Sequence, residues 1–377
     1  MDMSFYMPVN VITGEGCVST HADALALGRH AFIVTGRNSA RASGALSDVI
    51  AVLEEKNILY TLFDRAAENP LASVCREGGI LLREAGADFV IGIGGGSALD
   101  AAKAVAAFAV CPDADTESIF DADFDAHPIL PIAAIPTTSG TGSEANPYAV
   151  LTLDGGTKKK TLKHIPGTYP RVAFVDPRYT YSLNENYTVS TALDALSHAI
   201  ESYLSPKSNA ASEMYAAFAA KQIWGVIFMG EDGEGEKDAG GFTPTQRRRL
   251  SMASMAAGIA INRTGTGFPH PMGYSITLSD GIPHGRACGA FEGAYIEYNM
   301  KTEQGAEKLT ALAQMLGTTP SEMARRIPAM ADVKLTLTPA QMEEYVSRIA
   351  RANGFANSPY VLSDAEKIEI YGNLFSL

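Results

Sequence analysis

In the first half of the sequence, short apolar runs alternate with segments of helical periodicity, and no other feature limits the possible folds as narrowly. We interpret five runs as strands: Ala31–Thr35, Leu59–Phe63, Phe89–Ile93, Ile129–Ile135 and Val172–Val175. Helical patterns lie between the first three, at about residues 40–56 and 71–86, and the alanine-rich stretch Ala98–Val110 follows the third. Because apolar strands that alternate with helices form parallel sheets covered on both faces, the pattern predicts an α/β domain with a parallel, doubly wound sheet.

Beyond about Tyr181 the pattern is almost entirely helical. Seven segments space their apolar residues as helices do: Val189–Leu204, Ala210–Ile227, Pro244–Ile261, Arg286–Tyr298, Glu303–Leu316, Pro339–Ala352 and Asp364–Leu374. The acidic, glycine-rich stretch Met229–Gly241 has few apolar residues and is predicted to be a solvated loop. We therefore expect two domains with a cleft between them, an α/β domain over residues 1–181 and an all-α domain over residues 182–377.

Composition and charge limit the classes of partner. The chain has 377 residues, of which 46% are hydrophobic, and its 30 Lys and Arg against 42 Asp and Glu give a formal net charge of −12. Such an acidic surface repels phosphate backbones, so nucleic acid is not an expected partner. The sequence shows neither a run of about 18 apolar residues nor a secretory signal, so no membrane segment is expected. Four widely spaced cysteines without a CxxC pair are expected to be reduced thiols of a cytoplasmic protein: Cys17, Cys75, Cys111 and Cys288.

A glycine-rich turn, GGGSALDAAK at residues 94–103, follows the third predicted strand. Three glycines let the backbone approach a ligand closely, and the N-terminus of the next helix adds a positive dipole end. The turn is therefore predicted to cradle a pyrophosphate. It is not the GxGxxG fingerprint and does not follow the first strand, so an ordinary Rossmann domain is not expected. The alternative interpretation is a strand-to-helix turn that binds nothing.

A second polar turn, PTTSGTGSE at residues 136–144, directly follows the predicted strand that ends at Ile135. In open α/β sheets, ligands bind in the crevice at the carboxyl ends of the strands. The hydroxyls and backbone amides of this turn are therefore predicted to contact another part of a dinucleotide. The alternative is a Ser- and Thr-rich loop that only caps the next element.

Metal chemistry is indicated by four residues of the helical half. Asp194 and His198 are i and i+4 in TALDALSHAIESYL, so both project from one face of an otherwise apolar helix. His270 and His284 are 14 residues apart, each in a stretch punctuated by glycine and proline. One carboxylate with three imidazoles suits Fe(II), Zn(II) or a similar ion. Any of these histidines alone would be interpreted as structural, as we interpret the others: His21, His30, His127 and His164.

Together, GGGSALDAAK, PTTSGTGSE, DALSH and the pair of later histidines resemble the iron-containing (group III) alcohol dehydrogenases over nearly the whole chain. The resemblance implies a dehydroquinate synthase-like fold with a nucleotide-binding α/β domain and a metal-binding helical domain. The ligands that it implies for the metal are Asp194, His198, His270 and His284. With the residues around the two turns, the predicted cofactor-binding set is Gly36, Arg37, Asn69, Gly94, Gly95, Gly96, Ser97, Asp100, Thr137, Thr138, Thr141 and Lys160.

Three departures from the family pattern carry further expectations. Relatives that prefer NAD have an Asp after the first of the predicted strands, where this chain has Gly36 and Arg37. A carboxylate there would repel a 2′-phosphate, whereas glycine and a guanidinium accommodate it, so NADP(H) is favoured over NAD(H). Some relatives have a second His four residues after the third ligand; here that position is Tyr274, so any proton-relay role of that histidine is either absent or reassigned to Tyr274 or water. Prolines flank His270 on both sides and leave its geometry open.

The predicted function is that of a metal-dependent, NAD(P)-linked alcohol dehydrogenase or aldehyde reductase acting on small primary alcohols or aldehydes. The metal is expected to polarise the alkoxide or carbonyl during hydride transfer. Candidate pocket residues carry no positive charge, which favours small neutral substrates: Asn146, Tyr148, Phe268, Tyr274 and Tyr360. A homodimer is implied by the resemblance alone.

Three alternative functions stay open at this point. A dehydroquinate synthase-like lyase would share the fold but needs a cluster of Lys and Arg that this sequence does not offer. A non-redox, metal-dependent hydrolase would leave both glycine-rich turns unexplained. A protein that binds NADP without turnover would result if the prolines spoiled the metal site.

Overall fold

A six-stranded parallel sheet organises the first half of the chain. The computed structural model describes residues 4–153, 155–156 and 158–375. Its strands are β1 (Asn10–Thr13), β2 (His30–Thr35), β3 (Leu59–Phe63), β4 (Phe89–Gly94), β5 (Ile132–Pro136), β6 (Ala149–Thr152), β7 (Lys159–Leu162) and β8 (Val172–Val175). The order in the sheet is β1-β8-β5-β4-β2-β3, and β6 and β7 form a separate antiparallel hairpin. The five predicted strands and their parallel arrangement are confirmed, and the three strands that prediction missed are only four residues long.

Helices cover both faces of this sheet. They are α1 (Cys17–Thr20), α2 (Ala22–Leu25), α3 (Ser39–Ala42), α4 (Ala45–Glu55), α5 (Ala72–Ala85) and α6 (Gly96–Val110). Because successive strand residues point to opposite faces, β2 contributes to two hydrophobic cores. Phe32 and Val34 pack with side chains of α5 and α6, whereas Ala31 and Ile33 pack with side chains of α1 and α4. The sheet is doubly wound, as predicted.

The strand order reverses between β2 and β4. β2 pairs with β3, which follows it in the chain, and on its other side with β4, which in turn pairs with β5. Open α/β sheets bind their ligands at the carboxyl ends of strands where the order reverses in this way. Since parallel strands end at the same edge, this is the edge to which Gly36, the Gly94–Gly96 turn and Thr137 belong.

In the described chain beyond Tyr181 there are helices and no strand. They are α7 (Glu185–Leu204), α8 (Ala210–Ile223), α9 (Pro244–Thr264), α10 (Pro269–Asp280), α11 (His284–Asn299), α12 (Glu303–Met315), α13 (Pro320–Ala331), α14 (Pro339–Ile349) and α15 (Asp364–Phe375). The seven predicted helices are confirmed, and Met229–Gly241 is a loop, as predicted. Prediction missed α10 and α13 because each contains a further proline after its first residue, Pro271 in α10 and Pro328 in α13, and proline is read as a helix breaker. None of the helices within the described residues has both the length and the apolar character needed to cross a membrane.

The chain forms two compact units and passes between them more than once. One unit contains Tyr6–Glu185 and Asp232–Met255, and the other contains the described parts of Met1–Phe5, Asn186–Glu231 and Ala256–Leu377. The buried guanidinium of Arg247 anchors the inserted segment, because its Nε donates to Asp238 and its Nη2 donates to the carbonyl oxygen of Leu183. The units are thus not the two continuous segments, residues 1–181 and 182–377, on which the predicted division rests.

Replacing Gly293 by alanine tests how closely α11 packs on α13. A Cβ at this position would lie 2.7 Å from the carbonyl oxygen of Ala324 and 2.9 Å from Cγ of Pro328, so the two helices must move apart. We expect Gly293→Ala to lower the free energy of unfolding by about 1–3 kcal/mol, the usual cost of overpacking. Equilibrium denaturation in urea measures this loss.

Gly372→Ala, in α15 of the same compact unit, is the matched control. The nearest atom to a Cβ there is Sδ of Met342 at 3.9 Å, which is an ordinary contact. The higher helix propensity of alanine should therefore raise the free energy of unfolding by up to about 1 kcal/mol. Equal losses in both variants would show that packing against α13 is not what requires glycine at position 293.

Candidate metal centre and nucleotide site

The four predicted metal ligands meet around one carboxylate oxygen. Asp194 and His198 come from α7, His270 from α10 and His284 from α11. Asp194 Oδ1 lies 3.5 Å from Nε2 of His270, 3.8 Å from Nε2 of His284 and 3.9 Å from Nε2 of His198. The rings of His198 and His270 stack with their centroids 4.4 Å apart. The structure therefore brings together all four side chains that the sequence singles out.

The local sequence explains why these side chains meet. The aspartate and histidine of α7 are one turn apart on one face. Pro269 is the first residue of α10, so the prolines around His270 belong to the first turn of a regular helix and do not distort it. His284 is the first residue of α11, and a Cβ on the next residue, Gly285, would lie 1.8 Å from the carbonyl oxygen of Ser190 in α7. Glycine at position 285 thus lets the start of α11 come close enough to α7 for the imidazole to reach the carboxylate.

The spacing and burial of these atoms fit a metal ion. Asp194 Oδ1 and His270 Nε2 are buried and, within the described residues, have no hydrogen-bond partner. Their separations of 3.5–3.9 Å exceed those of good hydrogen bonds. They are close to the roughly 3.4 Å between two ligands that bind a tetrahedral ion at about 2.1 Å each. A divalent cation would compensate the buried carboxylate charge and satisfy both atoms.

Asp194 is the anionic member of this cluster. Burial by itself would raise the pKa of its carboxyl, but the neighbouring His198, His270 and His284 lower that pKa well below its ordinary value. The carboxylate is therefore ionised at neutral pH, which is the form that binds a metal.

Glu201 is a functional candidate that sequence reasoning missed. Its fully buried carboxylate accepts hydrogen bonds from His270 Nδ1, at 2.7 and 2.9 Å, and from the backbone N–H of Gly267. This contact fixes the ring so that Nε2 faces Asp194, which is how carboxylates commonly orient metal-binding histidines. The signal was present in the sequence, because Asp194, His198 and Glu201 follow the i, i+4, i+7 spacing of one helix face.

Glu292 of α11 is a second buried carboxyl that the sequence did not single out. Burial and the nearby Glu201 raise the pKa of Glu292 well above its ordinary value. Of two buried carboxyls that share a site, one keeps its proton. Glu292 is thus the neutral partner, which leaves Glu201 free to accept from His270.

Cys288 also belongs to this cluster, although the sequence identified it only as one of four reduced thiols. It lies one turn after His284 in α11, and its buried Sγ is 3.6 Å from Nε2 and 3.8 Å from Nδ1 of that ring. Donor atoms of Asp194, His270, His284 and Cys288 all lie within 4.8 Å of one another. The i, i+4 spacing of His284 and Cys288 is the signal that could have found it. All four cysteines of the chain are unpaired, as predicted.

In the α/β unit, the two glycine-rich turns close against each other. A Cβ at Gly95 would lie 3.2 Å from Cγ2 of Thr138, and one at Gly96 would lie 2.4 Å from Cγ2 of Thr141. Side chains at positions 95 and 96 would therefore crowd the threonines of the PTTSGTGSE turn, which is why the first turn has glycine at both positions. Since α6 begins at Gly96, the positive end of its dipole lies at this junction, where a phosphate binds favourably.

Hydrogen bonds join further predicted cofactor residues to this junction. The backbone N–H of Asn69 donates to Ser97 Oγ at 3.3 Å, and the N–H of Thr137 donates to the carbonyl oxygen of Gly94 at 2.9 Å. Gly36 and the exposed Arg37 follow the neighbouring strand β2. Lys160 is on the β6–β7 hairpin instead, and its Nζ lies 4.0 Å from Asp121.

The carboxylate of Asp100 is occupied within the protein. Its Oδ1 accepts from Ser143 Oγ at 2.6 Å and its Oδ2 accepts from the N–H of Val150 at 2.9 Å. Lys103, which sequence reasoning did not select, is fully buried and donates to the carbonyl oxygens of Ser143, Asn146 and Tyr148 at 2.7–2.9 Å. Both side chains hold the PTTSGTGSE turn to α6, and direct contact of Asp100 with a cofactor stays a prediction.

Comparison with known proteins identifies the family. Residues 8–177 match the family described as iron-containing alcohol dehydrogenase, and residues 188–344 match the C-terminal domain of the Fe-containing alcohol dehydrogenase family. The chain belongs to the iron-containing alcohol dehydrogenases. It is 30% identical to alcohol dehydrogenase 4 of Schizosaccharomyces pombe, over 83% of this chain and 72% of that protein.

Solved structures agree with this assignment. An iron-containing alcohol dehydrogenase from Thermotoga maritima matches with a TM-score of 0.88 and 33% identity over 99% of both chains. Sulfoacetaldehyde reductase from Bifidobacterium kashiwanohense, in complex with NAD+, matches with a TM-score of 0.84 and 28% identity over 99% of both chains. The predicted family, fold class and main activity, oxidation of alcohols or reduction of aldehydes, are confirmed. Membership of this oxidoreductase family implies a metal and NAD(H).

Of the pocket residues predicted for this iron-containing alcohol dehydrogenase, Tyr274 lies at the metal cluster. Its ring stacks on that of His284 with centroids 5.2 Å apart, and burial raises the pKa of its phenol to about 12. Phe268 is instead fully buried and packs edge-on against Tyr295. Tyr360 donates its hydroxyl to Glu366. Sequence composition could not separate such packing roles from pocket roles.

Glu201→Gln tests whether this carboxylate positions His270. The amide can no longer accept through two equivalent oxygens, so the His270 ring loses its fixed tautomer and orientation. We expect Zn(II) affinity, measured by competition with a chromogenic chelator, to fall about 10- to 100-fold. Glu297→Gln, on an exposed position of α11, should leave the affinity unchanged. If Glu201→Gln also left it unchanged, the positioning role would be wrong.

Proposed function

We propose that the chain is a metal-dependent, NAD(P)-linked alcohol dehydrogenase or aldehyde reductase of small primary alcohols and aldehydes. Asp194, His198, His270 and His284 are the proposed ligands of an Fe(II) or Zn(II) ion. The observation that carries this proposal is the single carboxylate oxygen 3.5–3.9 Å from three imidazole nitrogens. A buried carboxylate and imidazoles suit a metal that acts as a Lewis acid.

The residues around the cluster prepare it for this chemistry. A bound divalent metal would supply the Lewis acidity that polarises the oxygen of the alcohol or aldehyde, and a bound nicotinamide would supply the hydride chemistry. Glu201 keeps the proton of His270 on Nδ1, so Nε2 presents its lone pair. Asp194 supplies the negative charge that offsets the cation. Tyr274, a phenol that stays protonated at neutral pH, is the proposed hydrogen-bond donor in place of the second histidine of some relatives.

The proposed cofactor is NADP(H), bound by the α/β domain. Backbone amides of Gly95 and Gly96 and the hydroxyl of Ser97 would hold the pyrophosphate, because they lie at the N-terminus of α6. Gly36 leaves room for a 2′-phosphate, and the exposed guanidinium of Arg37 supplies the charge to bind it. In the helical domain, the carboxylates, imidazoles, thiol and phenol of the metal cluster offer no cation for a charged substrate, which supports small neutral alcohols. We also propose a homodimer, on family resemblance, and a cytoplasmic location, on the unpaired cysteines.

Removing a proposed ligand should remove both metal and activity. We expect Asp194→Asn and His270→Ala, purified without oxygen, to lose most bound metal and to reduce butyraldehyde at least about 1,000-fold more slowly, since the Lewis acid is gone. Metal analysis and NADPH oxidation measure the two effects. His21→Ala changes an exposed residue of the other compact unit, so this variant should retain both the bound metal and the activity. Full activity in a variant shown to be metal-free would refute the proposed role.

Gly36→Asp tests the cofactor proposal. The new carboxylate would repel a 2′-phosphate and pair with ribose hydroxyls, so we expect kcat/KM for NADPH to fall at least about tenfold while that for NADH holds or rises. Gly36→Ala is the matched control, because a Cβ here already lies 3.1 Å from the carbonyl oxygen of Ala66. Faster turnover of the unchanged protein with NADH would overturn the NADP(H) preference and leave the enzyme class intact.

A further inference from the structure

Cys288 places a sulfur atom among the proposed metal ligands, and the proposed mechanism does not use it. Its Sγ lies 3.6 Å from Nε2 of His284. The thiol is also one of four groups whose donor atoms lie within 4.8 Å of one another, with Asp194, His270 and His284. His198, although its Nε2 is 3.9 Å from Asp194, is not a member of that group of four. The sulfur of Cys288 is therefore at least as close to the other donor atoms of the cluster as the proposed ligand His198 is.

The fold holds the sulfur in this position. His284 and Cys288 are one turn apart in α11, so their side chains project from the same face. Gly285 lets α11 pack closely on α7, because a Cβ there would meet the carbonyl oxygen of Ser190. On the other side of the cysteine, a Cβ at Gly289 would lie 3.2 Å from Cβ of Ala331 in α13, so α11 also packs closely on that helix. Cys288 is itself completely buried, so its side chain has no solvent-facing alternative.

A second observation, independent of the cysteine, shows that a ligand belongs here. Asp194 Oδ1 and His270 Nε2 are buried without hydrogen-bond partners in the described part of the chain, and they are only 3.5 Å apart. Two such atoms are costly to bury unless a cation lies between them. A cation that satisfies both also lies within reach of the sulfur.

We propose that Cys288 Sγ binds the metal in addition to the four ligands proposed above, Asp194, His198, His270 and His284, and that this soft donor makes the site favour Zn(II) over Fe(II). The metal–sulfur bond replaces the S–H bond, and the proton leaves to solvent. Thiolate is a ligand that zinc accepts readily, whereas a set of imidazoles and carboxylate alone discriminates less between the two ions. This proposal rests on the proposed function only in requiring that the cluster holds a metal.

Cobalt spectroscopy on the full-length chain tests the proposal without measuring activity. The protein is stripped with a chelator and loaded anaerobically with Co(II), which reports thiolate ligation through a sulfur-to-cobalt charge-transfer band in the near ultraviolet. We expect this band in the unchanged protein and in Cys111→Ser, a buried cysteine of the other compact unit, but not in Cys288→Ser. Visible Co(II) bands without charge transfer in the unchanged protein would overturn the proposal and leave the metal site standing. Failure to bind Co(II) at all would overturn the proposed function as well.

Metal competition tests the claim about selectivity. Cys288→Ser should weaken Zn(II) binding by about tenfold or more and Fe(II) binding by a smaller factor, since serine keeps the shape but removes the soft donor. An equal loss for both ions would overturn the selectivity claim. The cobalt spectrum of the unchanged protein decides the ligation claim even if the serine variant does not fold.

Discussion

The helical unit is built around one buried negative charge, the carboxylate of Asp194. Apolar side chains cannot compensate such a charge. Three imidazoles from α7, α10 and α11 surround it, and each of those helices must keep its position for the four side chains to hold a compensating cation. Glycine at position 285 is what allows the third helix to approach. The packing of α7, α10 and α11 therefore also determines where the reactive side chains of the unit lie.

The carboxyl groups behind the cluster show how the charge is controlled. Glu201 is on the same face of α7 as Asp194, but it accepts a hydrogen bond from Nδ1 of His270, whereas Asp194 faces Nε2 of that ring. A second ionised carboxylate so close would be costly, and the raised pKa of Glu292 keeps that neighbour neutral. In the α/β unit the buried charge is positive. The ammonium of Lys103 donates hydrogen bonds to three backbone carbonyl oxygens and so fixes the PTTSGTGSE turn, which packs against the glycine-rich turn.

The sequence predicts what depends on local pattern. Strand and helix periodicity located the parallel sheet and seven helices, and the i, i+4 pair of α7 led to the metal cluster. Glu201 and Cys288 could also have been found from the sequence, because each is on the same helix face as a predicted ligand. That spacing becomes informative only after Asp194 and His284 have been identified as ligands. Glu292 could not be found this way, because its altered pKa depends on the packing of α11 against α7. The bond between Glu201 and His270 joins residues 69 positions apart, a contact that no local pattern reports.

The return of residues 232–255 to the α/β unit has a consequence for how the chain is made. Arg247, buried in that unit, bonds to the backbone of Leu183 only after the ribosome has synthesised α7 and α8 of the other unit. The α/β unit therefore cannot be completed first and left behind, as consecutive domains usually are during translation. No single cut in the polypeptide separates the two units intact, because each is assembled from segments on both sides of the other.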